Sequence, residues 1–397
     1  MSGPGRQDGR LAPFAMGYRV RLLEQGYTPG TVRGMLKVFG QFGRWLDAES
    51  VDVGQVNMVA VEAFLAARRA VGDRRSLGEL RQLVAYLRDV GVMVLEVSPE
   101  LTPVEALIGE YQRWMVDERG LAAMTVLRYE TLARRFLAAR VTVTDALGVA
   151  DLTGADVARF LLGECGRVSV GSAKGRVAEL RSLLRFLHLR GLTPFALADS
   201  VPPVAGWRET EIPPTMPRSD IERLLGCCDR SRLDGARDFA MVMLLARLGL
   251  RCVEISRLEL EDIDWRAGEL VVSGKARRHD PLPLPDDVGN ALTAYLALRG
   301  GHASRRVFLT VRAPIRPIRA DLVGDVVQRY CRRAGVPHVG PHRLRHALAT
   351  ELLARGASLV DISQVLRHSD LATTAVYAKV DFGRLREVAQ PWPGAAR

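Results

Sequence analysis

Residues 341–350 read PHRLRHALAT, and residues 366–381 read LRHSDLATTAVYAKVD. His342 and Arg345 lie three positions apart and therefore share one face of a helix. His368 and Tyr377 lie nine apart, about 180° around a straight helix, so one unbroken helix cannot turn both toward one point. The reading predicts a break near Ser369-Asp370, where either side chain suits a helix N-cap. Upstream stand GLRCVEI at 249–255 and SGKARRHDPLPL at 273–284. The stretch DFAMVMLLARLGL predicts a buried helix ending just before Arg251. GELVVSGKARRHDPLPL predicts two short strands joined by a basic turn. From Asp321 onward the pattern is helical again. The fold class is mainly α with a small β-sheet.

Working outward, residues 199–217 hold five prolines, Pro202, Pro203, Pro213, Pro214 and Pro217. Proline resists helix and removes donors, so this is an extended connection between domains. Ser219-Asp220-Ile221-Glu222 then fits a capping box opening the next helix. Before the prolines, two helical modules repeat. Gly26 matches Gly120, Val32 matches Val126, Phe64 matches Phe160, and Glu79-Leu80-Arg81 matches Glu179-Leu180-Arg181, with offsets of 94, 96 and 100. Rising offsets are the mark of loops that lengthen while helices do not. Each module carries apolar residues at helical spacing, as in Leu180, Leu183, Leu184 and Leu187. We read two bundles of about four short helices. The expected division is a disordered tail at 1–13, a helical module at 14–95, a linker at 96–107, a second module at 108–195, a proline-rich linker at 196–217, a domain at 218–386 and a C-terminal tail at 387–397.

Composition narrows the partners. The 397-residue chain is 48% hydrophobic and 25% charged, with a formal net charge of +11 and a pI near 9.9. So basic a protein meets a polyanion, nucleic acid first among them. Lysine-rich amphipathic segments that would favour a membrane surface do not stand out. The longest apolar run, Phe239 to Ala246, is too short to span a bilayer. Five cysteines (Cys165, Cys227, Cys228, Cys252, Cys331) lack framework spacing and include no CxxC pair. They read as reduced thiols rather than disulfides or a zinc site. The N-terminus has no signal-peptide core, and the cytoplasm is the expected compartment.

Singly, each of the four segments has an ordinary structural reading. Arg251 pairs with Glu254 or Glu261. Lys275 is a solvated turn lysine. His342 and Arg345 decorate a helix terminus, His368 sits in a local turn, and Tyr377 is a half-buried aromatic. In this order and spacing, however, residues 215–386 resemble the catalytic domain of the tyrosine recombinases, the phage-integrase-type and chromosome-dimer-resolving enzymes. The family's GLR-x-x-E is matched by Gly249-Leu250-Arg251 and Glu254, and its hairpin lysine by Gly274-Lys275. Its H-x-L-R-H is matched by His342, Leu344, Arg345 and His346, and its terminal segment by His368, Thr373, Thr374 and Tyr377. Three departures stand out: Ala276 replaces the second hairpin glycine, Asp280 and Pro281 replace basic and aliphatic residues, and Arg367 replaces the glycine before the histidine. At that position the arginine either adds a phosphate contact or distorts the turn.

The resemblance implies a DNA recombinase with Tyr377 as nucleophile, Arg251 and Arg345 as phosphate clamp, His342 in proton transfer, His368 as a supporting phosphate contact and Lys275 as general acid. Arg277 or Arg278 can share the task of Lys275. The module at 108–195 would be the SAM-like core-binding domain, with Arg128, Lys174, Arg176 and Arg181 as candidate DNA contacts, to which Arg277 and Arg278 of the later domain are added. It implies double-stranded DNA with a specific core site, a homotetramer on two synapsed sites, a related recombinase or accessory proteins as further partners, and no cofactor or metal. Transposition by the same chemistry and type IB topoisomerase-like relaxation are the alternatives. The residue types suit the reaction on physical grounds. Charge grows on the non-bridging oxygens as a nucleophile attacks a phosphodiester, and fixed cations stabilise that charge more than the ground state. Arginine donates two hydrogen bonds from a planar fork and never deprotonates.

Overall fold

The computed structural model describes residues 9–73, 76–93, 102–140, 148–205, 216–273, 279–367 and Thr374. They are mainly helical and contain one three-stranded sheet. Two compact units result, one from the described parts of 1–55, 64–90 and 209–397, the other from those of 56–63 and 91–208.

The first unit begins with α1 (Ala15–Glu24) and α2 (Pro29–Ala48), and includes α3 (Met58–Ala70) from Phe64 on, and α4 (Arg81–Asp89). Thr28 caps α2 by accepting the Thr31 N–H at 3.3 Å, and Pro29 occupies the first helical position, where no N–H is needed. Tyr18 packs its ring against Phe39 at 5.0 Å and Tyr86 at 5.2 Å, and the Tyr86 hydroxyl donates to the Phe14 carbonyl at 2.8 Å. A buried tyrosine thus keeps a partner for its polar tip. The Ile315 N–H donates to the Gln25 carbonyl at 2.8 Å. Its side chain fills the space beside Gly26, whose φ of +81° favours glycine in any case.

The second unit carries α5 (Pro103–Arg113), a π-helical turn at Trp114–Glu118, α6 (Ala123–Ala138), α7 (Gly154–Cys165) and α8 (Val170–Leu189). Its core gathers Tyr111, Trp114, Phe136 and the expected α8 stripe of Leu180, Leu183, Leu184 and Leu187, all buried. Thr153 and Asp156 close a reciprocal capping box at the start of α7. Among the described residues, four α-helices precede residue 95 and four lie between 103 and 189. Of the matched positions, Gly26 and Gly120 both adopt positive φ and Val32, Val126, Leu80 and Leu180 are all buried, whereas Glu79 is exposed and Glu179 buried, and Phe64 is more buried than Phe160.

The remainder of the first unit begins with α9 (Arg218–Gly226) and α10 (Leu233–Leu248). The capping box expected at Ser219 is not made. Pro217 is the N-cap and the helix starts at Arg218, so Ser219 falls inside the first turn; Arg218 pairs with Glu222 at 2.9 Å. Helix α10 is buried on nearly all sides, as its unbroken apolar run implies. After α11 (Cys252–Arg257) come β1 (Ile263–Asp264), β2 (Glu269–Ser273) and β3 (His279–Pro283), antiparallel in the order β1-β2-β3. The two-residue β1 is beyond the hairpin expected from sequence. Pro281 and Pro283 sit in the edge strand β3, where a missing N–H costs least. Helices α12 (Asp286–Arg299), α13 (Ala320–Ala334), α14 (Pro341–Ala354) and α15 (Leu359–Leu366) complete the unit. Helix α10 packs against α12 and α14, which brings the ends of α10, α14 and α15 into one region. Among the described residues no helix is long and apolar enough to cross a membrane.

Candidate active site

Helix α10 stops at Gly249, whose left-handed conformation (φ +58°, ψ +31°) turns the chain back. Leu250 drops into the core, and Arg251, extended at φ −82° and ψ 152°, becomes the N-cap of α11. Three residues on, the Glu254 carboxylate faces back. It accepts the Arg251 main-chain N–H at Oε2 and Arg251 Nη1 at Oε1, both at 2.8 Å. The Arg251 side chain remains 41% exposed while that of Glu254 is 5% exposed. The carboxylate is therefore an internal fixture and the guanidinium a solvent-facing one.

Arg345 comes from α14, which Gly340 caps and Pro341 opens. Leu344 and Arg345 point inward; Arg345 is only 2% exposed. Its Nη1 donates to the Gly249 carbonyl and its Nη2 to the Leu366 carbonyl, tying the ends of α10 and α15 together. Arg251 Nη2 in turn donates to the Arg367 carbonyl at 3.3 Å. The Leu366 and Arg367 carbonyls lie at the C-terminal end of α15, where oxygens lack intrahelical partners and the helix dipole favours cations.

His342 stands one turn before Arg345 on α14, as its spacing implies. Loss of solvent, then the Arg345 and Arg251 charges, hold its imidazole below the ordinary histidine value. The ring of His346 meets it edge-on with centroids 4.8 Å apart. Burial, the neighbouring His342 and the Arg345 and Arg343 charges push His346 down to about 4. Both imidazoles are thereby kept neutral near pH 7, the form in which a histidine accepts a proton.

Helix α15 opens with a Ser358–Asp361 capping box and closes at Arg367, in left-handed conformation (φ +53°, ψ +50°). The helix therefore ends before His368 is reached; the break expected near Ser369-Asp370 lies outside the described residues. The Arg367 side chain is 5% exposed and turned inward. Its Nη2 donates to Glu254 Oε2 at 2.8 Å and its Nη1 to the Val365 carbonyl at 3.0 Å. The backbone takes the glycine-like conformation and the side chain joins an internal network. Burial tends to raise the Glu254 carboxyl, but Arg367 and Arg251 outweigh it and hold it below the usual carboxylate value. Thr374 is fully buried.

Of the expected catalytic set, Arg251, His342 and Arg345 are brought together. Lys275, His368 and Tyr377, together with Arg277 and Arg278, lie outside the described residues. Among the candidate DNA contacts, Arg128 and Arg176 both pair with the buried Glu179, at 2.7 Å and 2.9 Å. Arg181 donates to the Val201 carbonyl at 2.6 Å, and Lys174 is half-buried on α8. Arg128 keeps a mostly exposed side chain. Sequence reading missed Glu179 as the common partner, although its helical distance of three from Arg176 was a signal.

Residues 214–384 match the model of the phage integrase family. A Sinorhizobium fredii protein named as an integrase/recombinase, y4rA, is 38% identical over 98% of this chain and 96% of its own length. Tyrosine recombinase XerD of Mycobacterium tuberculosis is 31% identical over 72% of this chain and 95% of its own. Two solved structures share the fold. XerH site-specific recombinase bound to palindromic difH substrate has a TM-score of 0.56 at 17% identity, covering 75% of this chain and 98% of that one. A lambda integrase dimer bound to a COC′ core site has a TM-score of 0.55 at 16% identity, covering 72% and 98%. With a relative matched along nearly its whole length and two buried-anchored arginines inside the matched segment, the chain belongs to the phage integrase family of tyrosine recombinases.

Proposed function

We propose that this recombinase cuts and rejoins double-stranded DNA at a specific core site through a transient bond between a 3′-phosphate and Tyr377. The observation that carries the reading is the convergence of Arg251, Arg345 and His342 at the meeting of α10, α14 and α15. Arg251 and Arg345 clamp the non-bridging oxygens of the scissile phosphate. The Tyr377 oxygen attacks phosphorus as the bond to the 5′ oxygen breaks. The phenol proton passes to His342, Lys275 protonates the departing 5′ oxygen, and His368 supports the phosphate. A free phenol is only about one part in a thousand ionised at neutral pH; neighbouring arginines and a histidine base reduce that deficit. Attack of the freed 5′ hydroxyl on the phosphotyrosine reverses these steps.

On this reading the 108–195 module grips one face of the duplex and the 218–386 domain the other, with 196–217 spanning between them. Residues 14–95 add a further DNA- or protein-binding module. Four protomers pair two sites and exchange strands through a Holliday junction, in the cytoplasm. No observation favours topoisomerase-like relaxation or transposition over recombination.

A nicked duplex that loses its 5′ fragment after cleavage tests the reading. The wild-type chain should be trapped covalently, and Tyr377→Phe should bind the same duplex without trapping. Trapping by Tyr377→Phe would overturn the assignment of the nucleophile.

A further inference from the structure

We infer that Arg367 is a positioning residue for the cleavage reaction: it neutralises Glu254, so that this carboxylate can hold Arg251 in place without cancelling its charge. The inference rests on the reading that Arg251 contacts the scissile phosphate. Arg251 is fixed by Glu254 through two 2.8 Å contacts. Taken alone, that pair is close to neutral, and a neutral pair stabilises the developing phosphate charge poorly. Arg367 donates to the same carboxylate at 2.8 Å from a side chain that is itself 5% exposed. One negative charge then lies between two guanidinium groups, and the trio carries a net +1 toward solvent through the exposed Arg251. Arg367 also offers its own carbonyl to Arg251 Nη2 at 3.3 Å, so it touches the clamp from two sides.

The backbone supports the same conclusion independently. Arg367 has φ +53°, where glycine is unstrained and a residue with a Cβ is not. An arginine at such a position is favoured by its side-chain contacts rather than its backbone.

Single-turnover cleavage of the nicked duplex by the full-length chain separates the possibilities. The rate constant reports stabilisation of the reacting phosphate, and the amplitude reports the folded, DNA-bound fraction. Arg251→Ala should abolish cleavage; if it cleaves normally, the underlying reading of the site fails. Arg367→Gly and Arg367→Gln should each lower the rate constant roughly tenfold or more, with amplitude and DNA affinity within about twofold of wild type. Arg367→Lys should retain most of the rate, since it keeps the charge. A wild-type rate in Arg367→Gln beside an inactive Arg251→Ala overturns the inference and leaves the site intact. So does a loss of amplitude alone, or an Arg367→Lys rate no higher than that of Arg367→Gln.

Discussion

Arg251 and Arg345 donate to the carbonyl oxygens of consecutive residues, Arg251 Nη2 to Arg367 and Arg345 Nη2 to Leu366. The end of one short helix thus sets the spacing of both guanidinium groups. Arg345 is further pinned to Gly249, two residues before Arg251. Both guanidinium groups are thus held by main-chain oxygens and not only by other side chains.

Replacing Arg251 by lysine keeps the charge and loses the fork. A lysine at this position cannot contact Glu254, the Arg367 carbonyl and a phosphate with fixed geometry. Covalent trapping should fall by roughly a hundredfold, while affinity for the duplex in a gel-shift assay changes about threefold or less.

Gly249→Ala should be disruptive for two reasons. The position has φ +58°, and a Cβ there would lie 2.7 Å from Leu366 Cδ2 and 3.1 Å from Leu348 Cδ2. A loss of about 2 kcal/mol is expected in urea denaturation. Because the Gly249 carbonyl anchors Arg345, trapping should fall by more than the loss of folded protein accounts for.

Arg345→Met removes the donor to two carbonyls in a side chain that is 2% exposed. Leaving those oxygens unpaired should cost roughly 2–4 kcal/mol, read as a shift of the denaturation midpoint. Trapping should be abolished even at temperatures where the variant is fully folded by circular dichroism.

The folded chain holds His346 near 4 against an ordinary value of 6.5. Between those values the unfolded chain takes up a proton that the folded chain excludes. Stability is therefore lost as pH falls from 6.5 toward 4, and is fully present above 6.5. His346→Asn should lessen the loss between pH 7 and pH 5 by on the order of 1 kcal/mol, a figure reduced for the partial exposure of the ring. Urea melts of both proteins at the two pH values check this; equal slopes would remove His346 as a cause.

Much of the fold and site was readable in advance. The helical faces of α8 and α14, the buried α10 and the hairpin of β2 and β3 follow from local periodicity and composition. So does the adjacency of His342 to Arg345. The structural reading of Arg251 as a partner of Glu254 also proved right: the two side chains meet at 2.8 Å. Less readable were the start of α9, where Pro217 displaced the expected Ser219 cap, and the short β1, whose two residues carry almost no pattern.

By itself, the sequence determined which chemical groups are present, their order and the faces on which they lie, since these depend on neighbours within one or two helical turns. The tertiary structure alone decided that Arg367 turns inward to Glu254, 113 residues away, and that Arg345 reaches Gly249 across 96. Such pairings depend on where helix ends meet in space, and buried carbonyls and carboxylates there must find whichever donors packing brings near.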